Sequence, residues 1–289
     1  MKAIINGSLV NREDLNIKLS NRGFQYGDAV FETMRGHNAI VYFWEEHYFR
    51  LMASMRILRM PIPMEFTPDY LLDQIIQLIK ACHLNEESFS VKLLVWRDAE
   101  GRYTPSNAKV GYSITIDKLD NPYFVYNDSD YEVALFRDHY IHASMLSNLK
   151  TNNRLINILG SVYAKENDFA NCLLLNDRKE VVEALNANIF LVKGYKIRTP
   201  KLDSGCLDGM MRKQIIKLIA EWPDYILEID EISPFELQKA DELFITNSLI
   251  GIQPISKYRK KTYVNKVSKL LSEKLNTKIS NILNEVEMA

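Results

Sequence analysis

Four short segments carry residue types that could act together on a carbonyl compound bearing a phosphate. Lys150 stands in Leu146-Ser-Asn-Leu-Lys150-Thr-Asn-Asn-Arg-Leu155, where an apolar, strand-like stretch meets an amphipathic helix. Glu183 interrupts the apolar run Val181-Val-Glu-Ala-Leu185, and Gly205-Cys-Leu-Asp-Gly-Met-Met-Arg212 opens a helix on glycine. Ile245-Thr-Asn-Ser248 carries two hydroxyls into a turn. A lysine amine condenses with a carbonyl to give a Schiff base. A helix start offers free N–H groups and a favourable dipole to phosphate, and a carboxylate can partner a protonated ring nitrogen. These are the groups an enzyme needs to hold an aldehyde cofactor with a phosphate tail.

Each residue also has a plainer explanation. Lysine is mostly solvated, but Met145, Leu146 and Leu149 beside Lys150 are apolar, which predicts burial. Burial would lower the lysine pKa by disfavouring the ammonium form. Glu183 could face solvent from an edge strand. Arg50 shares a helix with Tyr48, Leu51 and Met52; such an arginine is usually solvated, yet its planar fork meets phosphate oxygens bidentately. Thr246 and Ser248 could simply end a strand. In Trp96-Arg-Asp-Ala-Glu-Gly-Arg-Tyr-Thr-Pro105, Arg97 and Arg102 could decorate a hairpin tip or receive a substrate carboxylate.

The elements that must position these residues can be read from periodicity. Ala3–Val10 predicts a hairpin turning at Asn6-Gly7, and Ala29–Met34 and Ala39–Phe43 predict strands about a turn at Gly36-His-Asn. Apolar residues at helical spacing predict a helix from Trp44 to about Arg59, closed by Pro61, and another from about Pro68 to Cys82. Strands are expected at Phe89–Trp96, Val110–Ile116, Tyr131–Phe136, Cys172–Asn176, Ile189–Val192 and Glu242–Thr246. Further helices are expected at Asn153–Glu166, Met210–Trp222 and Val264–Leu283. The polar, turn-rich stretch between strands marks an interdomain linker at 118–130, with a small α/β domain over 1–117 and a larger domain carrying Lys150 over 131–289. The expected class is α+β in two domains.

Composition narrows the function classes. A formal net charge of -1 gives no broad attraction to nucleic acid or anionic lipid. No apolar run approaches a membrane span, and the N-terminus turns polar too early for a signal peptide. The scattered Cys82, Cys172 and Cys206 suit neither a disulfide framework nor a metal site, and the histidines form no metal signature. A cytoplasmic enzyme of small molecules is expected.

The blocks Arg22-Gly-Phe-Gln-Tyr-Gly-Asp-Ala-Val-Phe-Glu-Thr33, His47-Tyr-Phe-Arg-Leu51, Lys150-Thr-Asn-Asn-Arg-Leu155, Glu183 with Asn188-Ile-Phe190, Leu207-Asp-Gly-Met-Met-Arg212 and Thr246-Asn-Ser248 occur in an order that resembles the class IV aminotransferases. These are the fold-type IV (D-amino acid aminotransferase-like) enzymes of pyridoxal 5'-phosphate. The family includes branched-chain and D-amino acid aminotransferases and aminodeoxychorismate lyases. The resemblance implies that Lys150 carries the cofactor as a Schiff base and then shuttles a proton. It implies that Glu183 partners the pyridine nitrogen, while Arg50 and the main chain of Leu207, Gly209, Met210 and Met211 meet the cofactor, with Thr246, Asn247 and Ser248 opposite. Where many members have threonine this chain has Met211, so a side-chain hydroxyl is lost and the main-chain donors remain. Phe31, Arg97, Arg102 and Tyr103 are implied on the substrate side, and a homodimer is expected.

Two reactions stay open. A transaminase moves the amino group to a 2-keto acid; aminodeoxychorismate lyase expels pyruvate and leaves 4-aminobenzoate. Phe31-Glu32-Thr33 resembles the transaminase version of its segment, since the lyase pattern often has threonine where Glu32 stands. The Trp96–Pro105 loop resembles an arginine- and glycine-rich loop of the lyases and in part the carboxylate-trapping loop of D-amino acid aminotransferases, and Asn153-Arg-Leu155 resembles the lyases. Phe31 replaces the tyrosine expected of D-amino acid enzymes. A non-catalytic protein of this fold would be expected to lose Lys150 or Glu183, and both are present.

Overall fold

The computed structural model describes residues 1–14 and 16–287, which form two compact units. The first comprises Met1–Pro122, Lys150–Asn153 and the chain from Ile282 onward; the second comprises Tyr123–Leu149 and Arg154–Asn281. Helices and strands are mixed throughout both, an α+β architecture.

In the first unit, β1 (Lys2–Ile5) and β2 (Ser8–Asn11) form the expected hairpin. Its turn residues Asn6 and Gly7 have φ of 48° and 80°, the left-handed pair that Asn-Gly adopts most readily. A short helix not expected from the sequence, α1 (Arg22–Tyr26), is capped by the Asn21 side chain and closed by Gly27. β3 (Ala29–His37) turns at Asn38-Ala39 into β4 (Ile40–Val41), one residue later than expected. Then come α2 (Trp44–Ile57), α3 (Pro68–Ala81), β5 (Ser88–Arg97) and β6 (Val110–Leu119). The six strands form one antiparallel sheet in the order β2-β1-β6-β5-β3-β4.

Strand alternation decides which side chains reach the helices. Phe89, Val91, Leu93 and Val95 of β5 pack with Leu51, Met55, Leu71 and Ile75 of α2 and α3. Val30 and Met34 of β3 join that core, so Glu32, between them, also points toward α2. Phe31 and Thr33 point the other way, as do Lys92 and Leu94 across the ladder. Beyond the Gly36–His37 pairing with β4, the outer edge of β3 receives Lys150–Asn153. Phe31 N–H donates to the Lys150 carbonyl at 2.9 Å, Asn152 N–H donates to the Ala29 carbonyl at 3.0 Å, and Val30 pairs with Thr151. This backbone pairing is why Lys150 groups with the first unit although it follows the 118–130 segment.

The second unit contains β7 (Glu132–Leu135), α4 (Leu155–Glu166), β8 (Asn171–Leu175), β9 (Val181–Ala184), β10 (Asn188–Lys193) and β11 (Lys196–Thr199). There follow α5 (Met210–Ala220), β12 (Ile226–Ile229), α6 (Pro234–Leu237), β13 (Glu242–Asn247) and β14 (Gly251–Ile255). β15 (Lys257–Tyr258), β16 (Lys261–Thr262) and α7 (Lys266–Glu287) complete the chain. Two five-stranded sheets, β16-β15-β7-β8-β9 and β12-β11-β10-β13-β14, share a core in which Leu173, Leu175 and Val181 meet Ile189, Leu191, Leu243 and Ile245. On the far side of β8, Cys172 and Leu174 pack with Ala164 of α4. Covered on both faces, β8 reads as a continuous apolar run rather than an alternating one.

The apolar stretch before Lys150 is not a strand. Turns occupy Ser144–Leu149, tied by Ser147 N–H to the Ser144 carbonyl and Leu149 N–H to the Leu146 carbonyl. Asn148 holds them by donating to the carbonyls of Leu202 and Cys206. Met145 and Leu146 are therefore exposed, and only Leu149 is buried, so the first two do not supply the burial expected of them.

Candidate active site

Lys150 leaves the edge of β3 half-buried, with Nζ 4.6 Å from the centre of the Phe31 ring. Lys92 Nζ lies 4.8 Å from the same ring. A cation near an aromatic ring is attracted by its quadrupole, so Phe31 is a platform for two amines, one from the strand edge and one from β5. Lys150 thus has the Phe31 ring on one side and the buried Leu149 before it in the chain, while Met145 and Leu146 are exposed.

On the opposite side of β3, three ionisable side chains meet in the core. Arg50 donates through Nε to Glu32 Oε1 at 2.7 Å and through Nη2 to Glu32 Oε2 at 2.5 Å. His47 Nδ1 lies 2.6 Å from Glu32 Oε2. All three residues are buried. Helical spacing puts His47 and Arg50 on the same side of α2, three residues apart. Burial pushes the Glu32 carboxyl up, but Arg50 and the hydrogen bond from His47 outweigh it and hold the group at about 2. Burial pushes His47 below its ordinary value against the pull of Glu32, and the charges of Arg50 and Lys150 push the same way. A neutral imidazole donating from Nδ1 to an ionised Glu32 satisfies both.

A second charged node fixes the β5–β6 loop. Asp28 accepts from Arg22 Nε at 2.9 Å and from Arg97 Nε at 3.0 Å. Arg22, itself buried, also donates to the carbonyls of Gly101, Arg102 and Tyr103. Arg97 donates from Nη1 to the Arg59 carbonyl and from Nη2 to the Leu58 carbonyl. Every nitrogen of Arg97 thus bonds within the fold, whereas Arg102 and Tyr103 are exposed on the loop they were expected to occupy.

In the second unit, Glu183 sits on β9, an edge strand of its sheet, yet is buried. Its Oε2 accepts the Leu207 N–H at 2.7 Å, joining two of the predicted residues directly. Asn188 donates to the Leu207 carbonyl at 2.8 Å and faces Thr246 across the β10–β13 ladder. Gly209 precedes α5 without a side-chain cap. The bond from Lys213 N–H to the Gly209 carbonyl leaves the N–H groups of Met210, Met211 and Arg212 as first-turn donors. A Cβ on Gly209 would come 1.9 Å from Asn188 Oδ1, so glycine is required by the close approach. Thr246 is buried, and its Oγ1 has no hydrogen-bond partner among the described residues. A buried hydroxyl in that condition costs roughly 1–3 kcal/mol until an acceptor is supplied. First-turn N–H donors and a buried hydroxyl without a partner among the described residues fit a phosphate ester. Asn247 instead builds the turn, accepting from the Leu249 and Ile250 N–H groups and donating to the Asn186 carbonyl; Ser248 lies half-buried within that turn.

The family model of the class IV aminotransferases matches residues 29–258, and the chain belongs to that family, whose members depend on pyridoxal phosphate. It is 28% identical to the aminodeoxychorismate lyase of Vibrio harveyi, covering 83% of this chain and 87% of that protein. It is 26% identical to a D-alanine aminotransferase of Listeria monocytogenes, covering 89% and 87%. The branched-chain aminotransferase of Thermoproteus uzoniensis, solved with norvaline, superposes with a TM-score of 0.85 at 23% identity, covering 95% of this chain and 93% of that one. The fold is that of the fold-type IV aminotransferases. No helix among the described residues is long and apolar enough to cross a membrane.

Sequence reading did not single out Lys92, Asn188 as a positioning group, or the Glu32–His47 and Arg22–Asp28 pairs. Lys92 had a signal: it is the one charge inside Val91-Lys-Leu-Leu-Val95. Glu32 had one too, since strand parity places it with Val30 and Met34 on the apolar side of β3, where a carboxylate needs a partner.

Proposed function

We propose that the protein is a pyridoxal-phosphate-dependent aminotransferase that moves an amino group between an α-amino acid and a 2-keto acid. The observation that carries this reading is the setting of Lys150: its backbone is bonded to β3 and its amine rests against Phe31. The nucleophile is thus presented by a rigid strand edge, as a positioned catalytic group must be. When bound, the cofactor supplies a reactive carbonyl carbon and an electron-accepting ring. Lys150 would attach it and move the proton at the substrate Cα. Glu183, fixed by the Leu207 N–H, would hold a proton at the ring nitrogen. Arg50, the first-turn N–H groups of Met210 and Met211, and the Thr246 hydroxyl would hold the phosphate, with Asn247 and Ser248 shaping the turn beside Thr246. Because Arg97 is bonded within the fold, Arg102 is assigned the substrate carboxylate, with Tyr103 next to it. Transfer rather than elimination is supported by Glu32, the residue of the transaminase version, which here is fully engaged with Arg50 and His47.

Lys92 favours a second reading. Together with Arg102 it offers two cations from the same unit, which suits a substrate with two carboxylates, as aminodeoxychorismate has. The half-reaction separates the readings. A transaminase given an amino donor alone should convert to the pyridoxamine phosphate absorbance, and a 2-keto acid should reverse it. Repeated turnover of aminodeoxychorismate to pyruvate and 4-aminobenzoate, with no spectral response to a donor panel, would establish the lyase instead.

A further inference from the structure

We infer that Glu32, braced by His47, is a positioning residue that sets the plane of the Arg50 guanidinium for the cofactor phosphate; the inference rests on the assignment of Arg50 to that phosphate. A guanidinium on a helix turns about several single bonds, and ordering it costs rotamer freedom. Here Glu32 takes Nε and Nη2 together at 2.7 and 2.5 Å. Two parallel bonds to one carboxylate fix the plane of both groups. Nη1 is thereby aimed by a strand residue rather than by the helix alone. His47 prevents the carboxylate from rotating, because its Nδ1 lies 2.6 Å from the Oε2 that Arg50 Nη2 also uses. The depressed proton affinities of Glu32 and His47 keep this arrangement in one ionisation state, anionic acceptor and neutral donor, across the neutral range.

Orientation and simple electrostatics give effects of opposite sign at Glu32. Glu32 places a negative charge against the arginine, so removing that charge should tighten phosphate binding if charge alone mattered. If orientation matters, removing it should weaken binding. The test titrates cofactor-free enzyme with pyridoxal phosphate and, separately, with pyridoxal, which lacks the phosphate. Glu32→Gln is expected to raise the dissociation constant for pyridoxal phosphate by about tenfold, the size of one charge-assisted hydrogen bond, while leaving pyridoxal within about twofold. Glu32→Asp keeps the charge but withdraws the carboxylate by one methylene. It should lose about threefold in the same selective way, and it decides the matter if the glutamine variant does not fold. Unchanged or tighter pyridoxal phosphate binding in these variants overturns the inference, as does an equal loss for both ligands, which marks a general packing role. Arg50→Gln separates the two levels. If it leaves the preference for pyridoxal phosphate over pyridoxal intact, the phosphate assignment itself fails. If it abolishes that preference while the Glu32 variants retain it, only the positioning role fails.

Discussion

The two units prepare their polar groups in opposite ways. In the first, Glu32, His47 and Arg50 are buried in contact and satisfy one another. In the second, the Thr246 hydroxyl and the first turn of α5 are neutral, and backbone places them: a ladder for Thr246, a helix start for Met210 and Met211. The difference follows from desolvation. An unpaired buried charge costs several kcal/mol and must be matched on the spot, and Glu32 matches Arg50 in this way. A neutral hydroxyl left unpartnered costs far less. It can wait without a counterpart.

Lys150 stands apart from both sets and should show the largest effect. Lys150→Ala is expected to lower turnover by at least about a thousandfold, because it removes the proposed nucleophile and proton carrier together. Borohydride reduction of the unaltered protein followed by peptide mapping should put the pyridoxyl label on Lys150. Label on Lys92, the other amine beside Phe31, would break the assignment.

Arg50→Gln should weaken pyridoxal phosphate binding by about tenfold to a hundredfold, and Thr246→Val by only about fivefold, reflecting charged against neutral hydrogen bonds. The stability changes should run in contrasting directions. The arginine variant leaves the Glu32 carboxylate buried without its cation and should melt at lower temperature. The valine variant removes an unpartnered hydroxyl at constant shape and should melt at the same temperature or higher. Calorimetry that finds Thr246→Val strongly destabilised would mean that the hydroxyl already has a structural task.

The smallest effect is in acid stability. His47 binds its proton less readily folded than unfolded, so its contribution is complete above its ordinary 6.5 and is lost as the pH falls below it. Glu32, held at about 2 against an ordinary 4.5, contributes fully above 4.5 and loses that contribution as the pH falls toward 2. Denaturant midpoints should therefore decline mildly below 6.5 and more steeply below 4.5. His47→Gln should remove the upper limb and keep the lower one. A midpoint that does not respond to pH across both windows would show that the cluster is not ionised as described.

Much of this protein was determined by local pattern alone. The Asn6-Gly7 hairpin, the helix periodicity from Trp44 and the ordered blocks from Arg22 to Ser248 are legible because turn chemistry, 3.6-residue spacing and strand alternation depend on neighbours in sequence. The apolar run at Cys172–Leu175 was legible as a strand for the same reason. Tertiary structure decided the rest. Met145 and Leu146 look like a strand that buries Lys150, yet Asn148 bonds more than fifty residues away in sequence, to Leu202 and Cys206, and holds them in an exposed turn. Glu183 could not be assigned to a face until β9 was seen buried and the Leu207 N–H was seen to reach it. Arg97 and Arg102 look equivalent on one loop; Asp28 and the Leu58 and Arg59 carbonyls engage the first and leave the second exposed. Periodicity states which face a side chain takes, but its hydrogen-bond partner is set by chain segments distant in sequence, and only the folded arrangement brings those together.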